Sequence, residues 1–188
     1  ATIIVEDSNF FAVSDQNGIF KMTAVDQRPP IKKPIADYLN LPEAPWKEVA
    51  KFKRMLIENL QSGSSALLLD PHYAIPFSMD SFDAKKGLVV TLEDSVFQET
   101  KQGRISSSID NWSVAKIKRM GADAVKVLAW YRPDAGQDVL VAQKSLLPTD
   151  DLTNCRNCMK LLKDNPIFCR FPDGKMVRAI VLDSSHLR

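Results

Sequence analysis

The stretch Phe20-Lys-Met-Thr-Ala-Val-Asp-Gln-Arg-Pro-Pro30 constrains the fold more than any other part of the chain. A short apolar run ends in an acid, an amide and an arginine, and two prolines then forbid an extended ladder from continuing. The run reads as a buried strand and the polar tip as that strand's exposed end. In α/β folds built on parallel strands, ligands and chemistry gather at the C-terminal strand ends.

The same grammar recurs. Ser65-Ala-Leu-Leu-Leu-Asp-Pro71 is a second buried-strand run closed by an acid and a proline, and Gly87-Leu-Val-Val-Thr-Leu-Glu93 is a third, again ending in an acid. A fourth, Ala122-Asp-Ala-Val-Lys-Val-Leu-Ala-Trp-Tyr131, carries Lys126 inside the apolar run and is stopped by Arg132-Pro133. Helices separate them. Trp46 to Gln61 is the clearest, with Val49, Phe52, Leu56 and Leu60 at helical spacing, Lys and Glu on the other faces, and Ser62-Gly63 as its end. Ile31 to Tyr38 reads as a short helix, and Asn111 to Met120 as another capped by Asp110. The polar, Ser-rich passage from Asp94 to Ser108 suggests a mobile surface excursion at a strand end.

Strand and helix thus alternate four times, and the strands are continuously apolar. That predicts a parallel sheet covered by helices, joined by right-handed crossovers. No Gly-x-Gly-x-x-Gly or P-loop pattern follows any strand, so a dinucleotide or nucleoside-triphosphate fold has no support. Acids at successive strand ends fit a (β/α) barrel better than a Rossmann sheet.

Composition narrows the function classes. Of 188 residues, 45% are hydrophobic and 26% charged, as in an ordinary globular protein. A net charge of +2 from interspersed lysines and acids offers no basic face to nucleic acid. No apolar run approaches the roughly 20 residues that span a bilayer, and no secretory signal is visible. Three cysteines, all after residue 150, make no even-numbered disulfide framework, so a reducing, cytoplasmic setting is expected.

Several side chains can carry chemistry. Lys126 has two readings. Burial lowers a lysine's affinity for its proton and yields the neutral amine that carbonyl addition requires. Alternatively, its stem is buried and its head reaches an acid such as Asp26 or Asp70. Asp26, Gln27 and Arg28 supply an acid, a neutral donor and acceptor, and a phosphate-competent fork, with Asp70 and Glu93 as further strand-end acids. His72 reads as a surface-loop histidine that can also meet a ligand. Cys155, Cys158, Cys169 and His186 can be written as a Cys₃His zinc site, but a single Cys-x-x-Cys without a paired knuckle is a weak signal.

The motifs Asp15-Gln-Asn-Gly-Ile-Phe-Lys-Met-Thr-Ala-Val-Asp-Gln-Arg28, Ser65-Ala-Leu-Leu-Leu-Asp-Pro71, Trp112-Ser-x-x-Lys-Ile-Lys and Gly121-Ala-Asp-Ala-Val-Lys-Val-Leu-x-Trp-Tyr131 resemble the class I tagatose-1,6-bisphosphate aldolase family. That family includes sulfofructosephosphate aldolases. The resemblance covers roughly residues 10–143, in the family's order and spacing. It implies a (β/α)₈ TIM-barrel type of fold, with residues 1–143 holding the first four to five β/α units. Residues 144–188 form a divergent tail, with a helix near 152–163 and one or two strands. It also implies a cofactor-free, metal-independent Schiff-base aldolase acting on a ketose phosphate, such as tagatose 1,6-bisphosphate or a sulfo-sugar phosphate.

By motif, Asp26 and Lys126 correspond to catalytic residues of the first and fourth strands, and Gln27, Arg28 and Asp70 to substrate-binding ones. The family's Schiff-base lysine lies on a sixth strand, and its fifth strand ends in a glutamate where Pro166-Ile-Phe-Cys-Arg170 places an arginine. Impaired activity is therefore expected, and an inert sugar-phosphate-binding or regulatory protein is the alternative. Half a barrel leaves its first and fourth strands without neighbours, which predicts self-association or covering of the edge by the tail. Neither nucleic acid nor membrane is expected as a partner.

Overall fold

The computed structural model describes residues 2–4, 12–128, 136–145, 169–170 and 176–177. Its centre is a five-stranded sheet. Four strands are parallel and neighbour one another in chain order: β2 (Met22–Ala24), β3 (Ala66–Leu69), β4 (Gly87–Thr91) and β7 (Ala124–Val127). The fifth, β1 (Thr2–Ile4), runs antiparallel along the outer edge of β7, with Ile3 opposite Lys126. Of the two edges expected to lack a neighbour, that of the fourth strand is therefore paired, by the N-terminal segment, while among the described residues the first strand's edge is not. The β-branched run Thr2-Ile-Ile suits β1 to an extended partner.

The helices follow the strands. α1 (Pro29–Leu39) begins directly after the first strand-end motif. Pro29 and Pro30 fill its first two positions, where a missing N–H costs nothing, and the Arg28 carbonyl accepts from Ile31 and Lys32. The prolines that end the strand thus start the helix. α2 (Trp46–Leu60) continues into a short 3₁₀ turn, and α3 (Ala74–Ser78) links β3 to β4. α4 (Val114–Arg119) is shorter than its sequence pattern suggests. Asn111 takes a left-handed φ of 61°, and Ser113 rather than Asp110 is the N-cap, its side chain accepting from the Lys116 N–H. α5 (Gln137–Ser145) follows β7.

The passage after β4 is more ordered than a structureless excursion. Gln98–Thr100 (β5) and Gly103–Ile105 (β6) pair as an antiparallel hairpin, and Glu93 bridges to Ser108 at its base. In the tail, Cys169–Arg170 (β8) pairs with Met176–Val177 (β9) in a ribbon of its own, not as a further strand of the main sheet. The expected helix at 152–163, Cys155, Cys158 and His186 lie outside the described residues, as does most of the 144–188 tail.

Strand alternation sorts the core into two faces. Val25, Leu67, Leu69, Leu88, Val90, Leu92, Val125 and Val127 pack with Ile57, Val114 and Ile117 of the helices. On the opposite face, Ala66, Leu68, Val89 and Ala124 pack with Val13 and Met22. The segment carrying Val13 lies across the N-terminal ends of the strands. Ser65 Oγ donates to the Val13 carbonyl at 2.6 Å, and Gly87 has no room for a side chain, since a Cβ there would sit 2.6 Å from the Ala12 oxygen.

The inward face of α2 differs from its sequence pattern. Val49, Ala50, Lys53 and Ile57 are buried, whereas Phe52 and Leu60 are partly exposed. A lysine stands in the middle of the buried stripe.

Candidate active site

Two charged clusters sit at the C-terminal ends of the parallel strands. The alternation that puts Ala24, Val89 and Ala124 on the helix-free face carries Asp26, Glu93 and Lys126 to the same face two and four residues on. There the Lys126 ammonium lies 3.0 Å from Asp26 and also pairs with Glu93. The second Glu93 oxygen accepts from the Leu128 N–H at 3.2 Å. All three side chains are nearly closed off, with 10%, 11% and 3% exposure for Lys126, Asp26 and Glu93. A buried charge is tolerated when it is paired and hydrogen-bonded. Of the two readings of Lys126, the geometry has the head group meeting an acid, Asp26, with Glu93 as a second. The Thr91 hydroxyl, in register with Lys126, is buried and has no hydrogen-bond partner among the described residues.

The second cluster lies between sheet and helix. Lys53 and Asp70 are both fully buried and paired, and Lys53 also donates to the Val25 carbonyl at 2.6 Å. The other Asp70 oxygen accepts the backbone N–H groups of His72 and Tyr73 at 2.9 and 2.8 Å. Burial pulls the Lys53 amine down from its ordinary value of 10.5, while Asp70 partly offsets that fall. The pair ties α2 to the ends of β2 and β3, one peptide away from Asp26. Asp70, expected from its motif to meet substrate, has its carboxylate engaged in this staple.

Arg28 bounds the first cluster on one side. It is 7% exposed, and its Nη2 donates to the Glu93 carbonyl at 2.7 Å. Its Nη1 faces Asp94 at 3.8 Å, and among the described residues neither Nε nor Nη1 has a hydrogen-bond partner. Beyond it opens a cleft of about 600 Å³ between α1, the 41–44 loop, His72–Tyr73 and the root of the hairpin at Asp94–Val96. Gln27, which precedes Arg28 in the chain, is exposed. His72 is exposed at the cleft wall, as a surface-loop histidine would be, and its carbonyl accepts from the Trp46 indole.

The structure therefore brings Asp26 and Lys126 into contact, sets Arg28 against Glu93, and places Asp70 in the neighbouring staple. Lys53 and the joint role of Glu93 and Asp94 were not singled out by sequence reasoning. The spacing of Lys53 from Val49 and Ile57, four residues each way, was the available signal. Among the described residues, no group of three His, Cys, Asp or Glu side chains is arranged to hold a metal ion. Nor is any helix among them long and apolar enough to cross a membrane.

Known proteins resemble this chain over the same region. The tagatose 1,6-diphosphate aldolase of Streptococcus pneumoniae is 33% identical over 127 residues, and that of Staphylococcus haemolyticus is 30% identical over 135. The matches take in 68% and 72% of this chain but only 38% and 41% of those relatives. A Streptococcus agalactiae tagatose 1,6-diphosphate aldolase is 34% identical over 127 residues. The chain thus spans about two fifths of the length of these relatives, and its four parallel strands in chain order form part of a TIM-barrel type of fold. The family model for DeoC/LacD family aldolases matches residues 20–145, which include all four parallel strands, both charged clusters and the cleft, and the chain belongs to that family.

Proposed function

We propose that this chain contributes the first-to-fourth-strand side of a class I aldolase site for a phosphorylated ketose, such as tagatose 1,6-bisphosphate or a sulfo-sugar phosphate. The observation that carries the proposal is Lys126 held between Asp26 and Glu93 at the strand ends. In a class I cleavage an amine adds to the ketose carbonyl and loses water, giving an iminium. The C3–C4 bond then breaks, its electron pair passes to the iminium, and the C4 hydroxyl gives up its proton to a base. The lysine–carboxylate cluster suits the electrostatic part of that sequence. Lys126 balances two carboxylates and holds Asp26 where a substrate hydroxyl can reach it, with Gln27 exposed alongside and Arg28 near the anionic end. Asp70 acts through the staple, by fixing the loop at His72 and Tyr73.

Because its amine is engaged by two acids, Lys126 is a charge partner in this reading rather than the Schiff-base nucleophile. Borohydride reduction in the presence of dihydroxyacetone phosphate, followed by peptide mass spectrometry, should leave Lys126 unmodified. A reduced adduct on Lys126 would show that it is the nucleophile. The same engagement favours a second reading, a sugar-phosphate-binding protein without turnover. Calorimetric titration with tagatose 1,6-bisphosphate separates the readings when combined with a coupled cleavage assay. Binding with cleavage supports the aldolase, binding alone supports the second reading, and no binding sinks both.

Self-association belongs to the same proposal. Among the described residues β2 pairs on one side only, with β3, and Ile19 and Phe20 just before it are exposed. Light scattering coupled to size-exclusion chromatography should give at least twice the monomer mass of 21.1 kDa. A concentration-independent monomer overturns this part.

A further inference from the structure

The cleft outside Arg28 contains a built-in contest between two negative charges. Arg28 is more than nine-tenths buried, yet among the described residues only its Nη2 is hydrogen-bonded, to the Glu93 carbonyl. Its remaining charge is met loosely by Asp94, at 3.8 Å and without a hydrogen bond. Asp94 is the first residue of the hairpin's root. Its side chain is 33% exposed, its Oδ1 accepts from the Val96 N–H at 3.1 Å, and its N–H donates to the Ser107 carbonyl at 2.7 Å. Val96 beside it is 74% exposed, an unusual setting for a large apolar side chain at the edge of a cleft. A guanidinium held in place by one hydrogen bond, with its Nη1 facing a carboxylate it does not hydrogen-bond, is a receptor for a stronger oxyanion.

We propose that Asp94 is an internal competitor for Arg28: an incoming phosphate monoester or phosphate dianion displaces its carboxylate, and the displacement releases the root of the β5–β6 hairpin. The inference rests on the reading of Arg28 as an anion contact and adds that occupancy of the cleft is coupled to the hairpin through Asp94. The coupling is physical. The carboxylate that leaves Arg28 also holds the turn at Val96, and the same segment is bridged by Glu93 to Ser108 and by Gln102 to the Gly136 N–H ahead of α5. A ligand that binds one state of this loop in preference to the other shifts the loop by that difference in affinity.

Inorganic phosphate is the probe, titrated calorimetrically into the full chain and into Asp94→Asn and Arg28→Gln variants, with amide hydrogen exchange of residues 98–105 followed in parallel. Asparagine keeps the Oδ1 acceptor for Val96 and removes only the charge. Asp94→Asn should bind phosphate about three- to fivefold more tightly, the scale of a partly exposed ion pair, and Arg28→Gln should lose binding. In the unaltered chain phosphate should speed exchange in the hairpin, and in Asp94→Asn exchange should be fast already and insensitive to phosphate. Equal affinity in the unaltered chain and Asp94→Asn, or hairpin exchange unmoved by bound phosphate, overturns the competition while leaving Arg28 as an anion contact. No phosphate binding to either protein overturns both. Asp94→Ser, which also removes the charge, repeats the comparison should Asn distort the turn.

Discussion

Lys53→Met will cost about 3–5 kcal/mol of stability, the scale seen when one partner of a buried ion pair is removed. Methionine replaces most of the lysine stem, so little packing is lost. What remains is the Asp70 carboxylate, fully buried and satisfied only by the N–H groups of His72 and Tyr73. The double variant Lys53→Met/Asp70→Asn should recover most of the loss, because the amide still accepts those bonds and carries no charge. Urea denaturation of the three proteins decides this, and a single-variant loss below about 1 kcal/mol would mean that the pair is not desolvated. The pH dependence has a definite sign. Burial draws the Lys53 amine below its ordinary 10.5, so in the window under that value the unfolded chain holds the proton more firmly than the folded one. Stability contributed at this site therefore rises as pH rises through that window. The difference between the unaltered protein and the double variant should grow in the alkaline range; a flat difference would contradict the burial of Lys53.

Lys126→Met should cost about 3 kcal/mol at neutral pH by the same logic, with the opposite pH response. The ammonium separates Asp26 from Glu93, and without it two nearly buried carboxylates face each other. One of them then gains from taking up a proton, and folding holds that proton more tightly than the unfolded chain does. The deficit of the variant should shrink as pH falls into the carboxylate range, and adding Glu93→Gln should relieve it at neutral pH. Urea midpoints at pH 7 and pH 5 provide the measurement. An equal deficit at both would show that charge is not what Lys126 supplies.

The four parallel strands were readable because each is a continuous apolar run, the first three closed by an acid, and that punctuation survives in the fold as Asp26, Asp70 and Glu93 at successive strand ends. The contact between Asp26 and Lys126, 100 residues apart, was within reach because alternation along parallel strands sends both to one face. Lys53 was hidden. Val49, Ala50, Phe52, Met55, Leu56, Ile57 and Leu60 spread apolar character over much of α2, so spacing alone did not fix which stripe turns inward. The stripe that does contains a lysine because Asp70 waits for it. The hairpin at 98–105 was equally opaque, since Gln98-Glu-Thr-Lys-Gln-Gly-Arg-Ile105 has no apolar alternation to announce a strand. Its pairing is set by a ladder and turn bonds such as Thr100 Oγ to the Gly103 carbonyl at 2.6 Å.

The Val13 segment under the sheet has a consequence for traffic. With Ser65 bonded to it and Gly87 pressed against it, this face of the sheet is covered at the N-terminal ends of β3 and β4. Among the described residues, a ligand of Asp26 and Lys126 therefore comes and goes at the C-terminal strand ends.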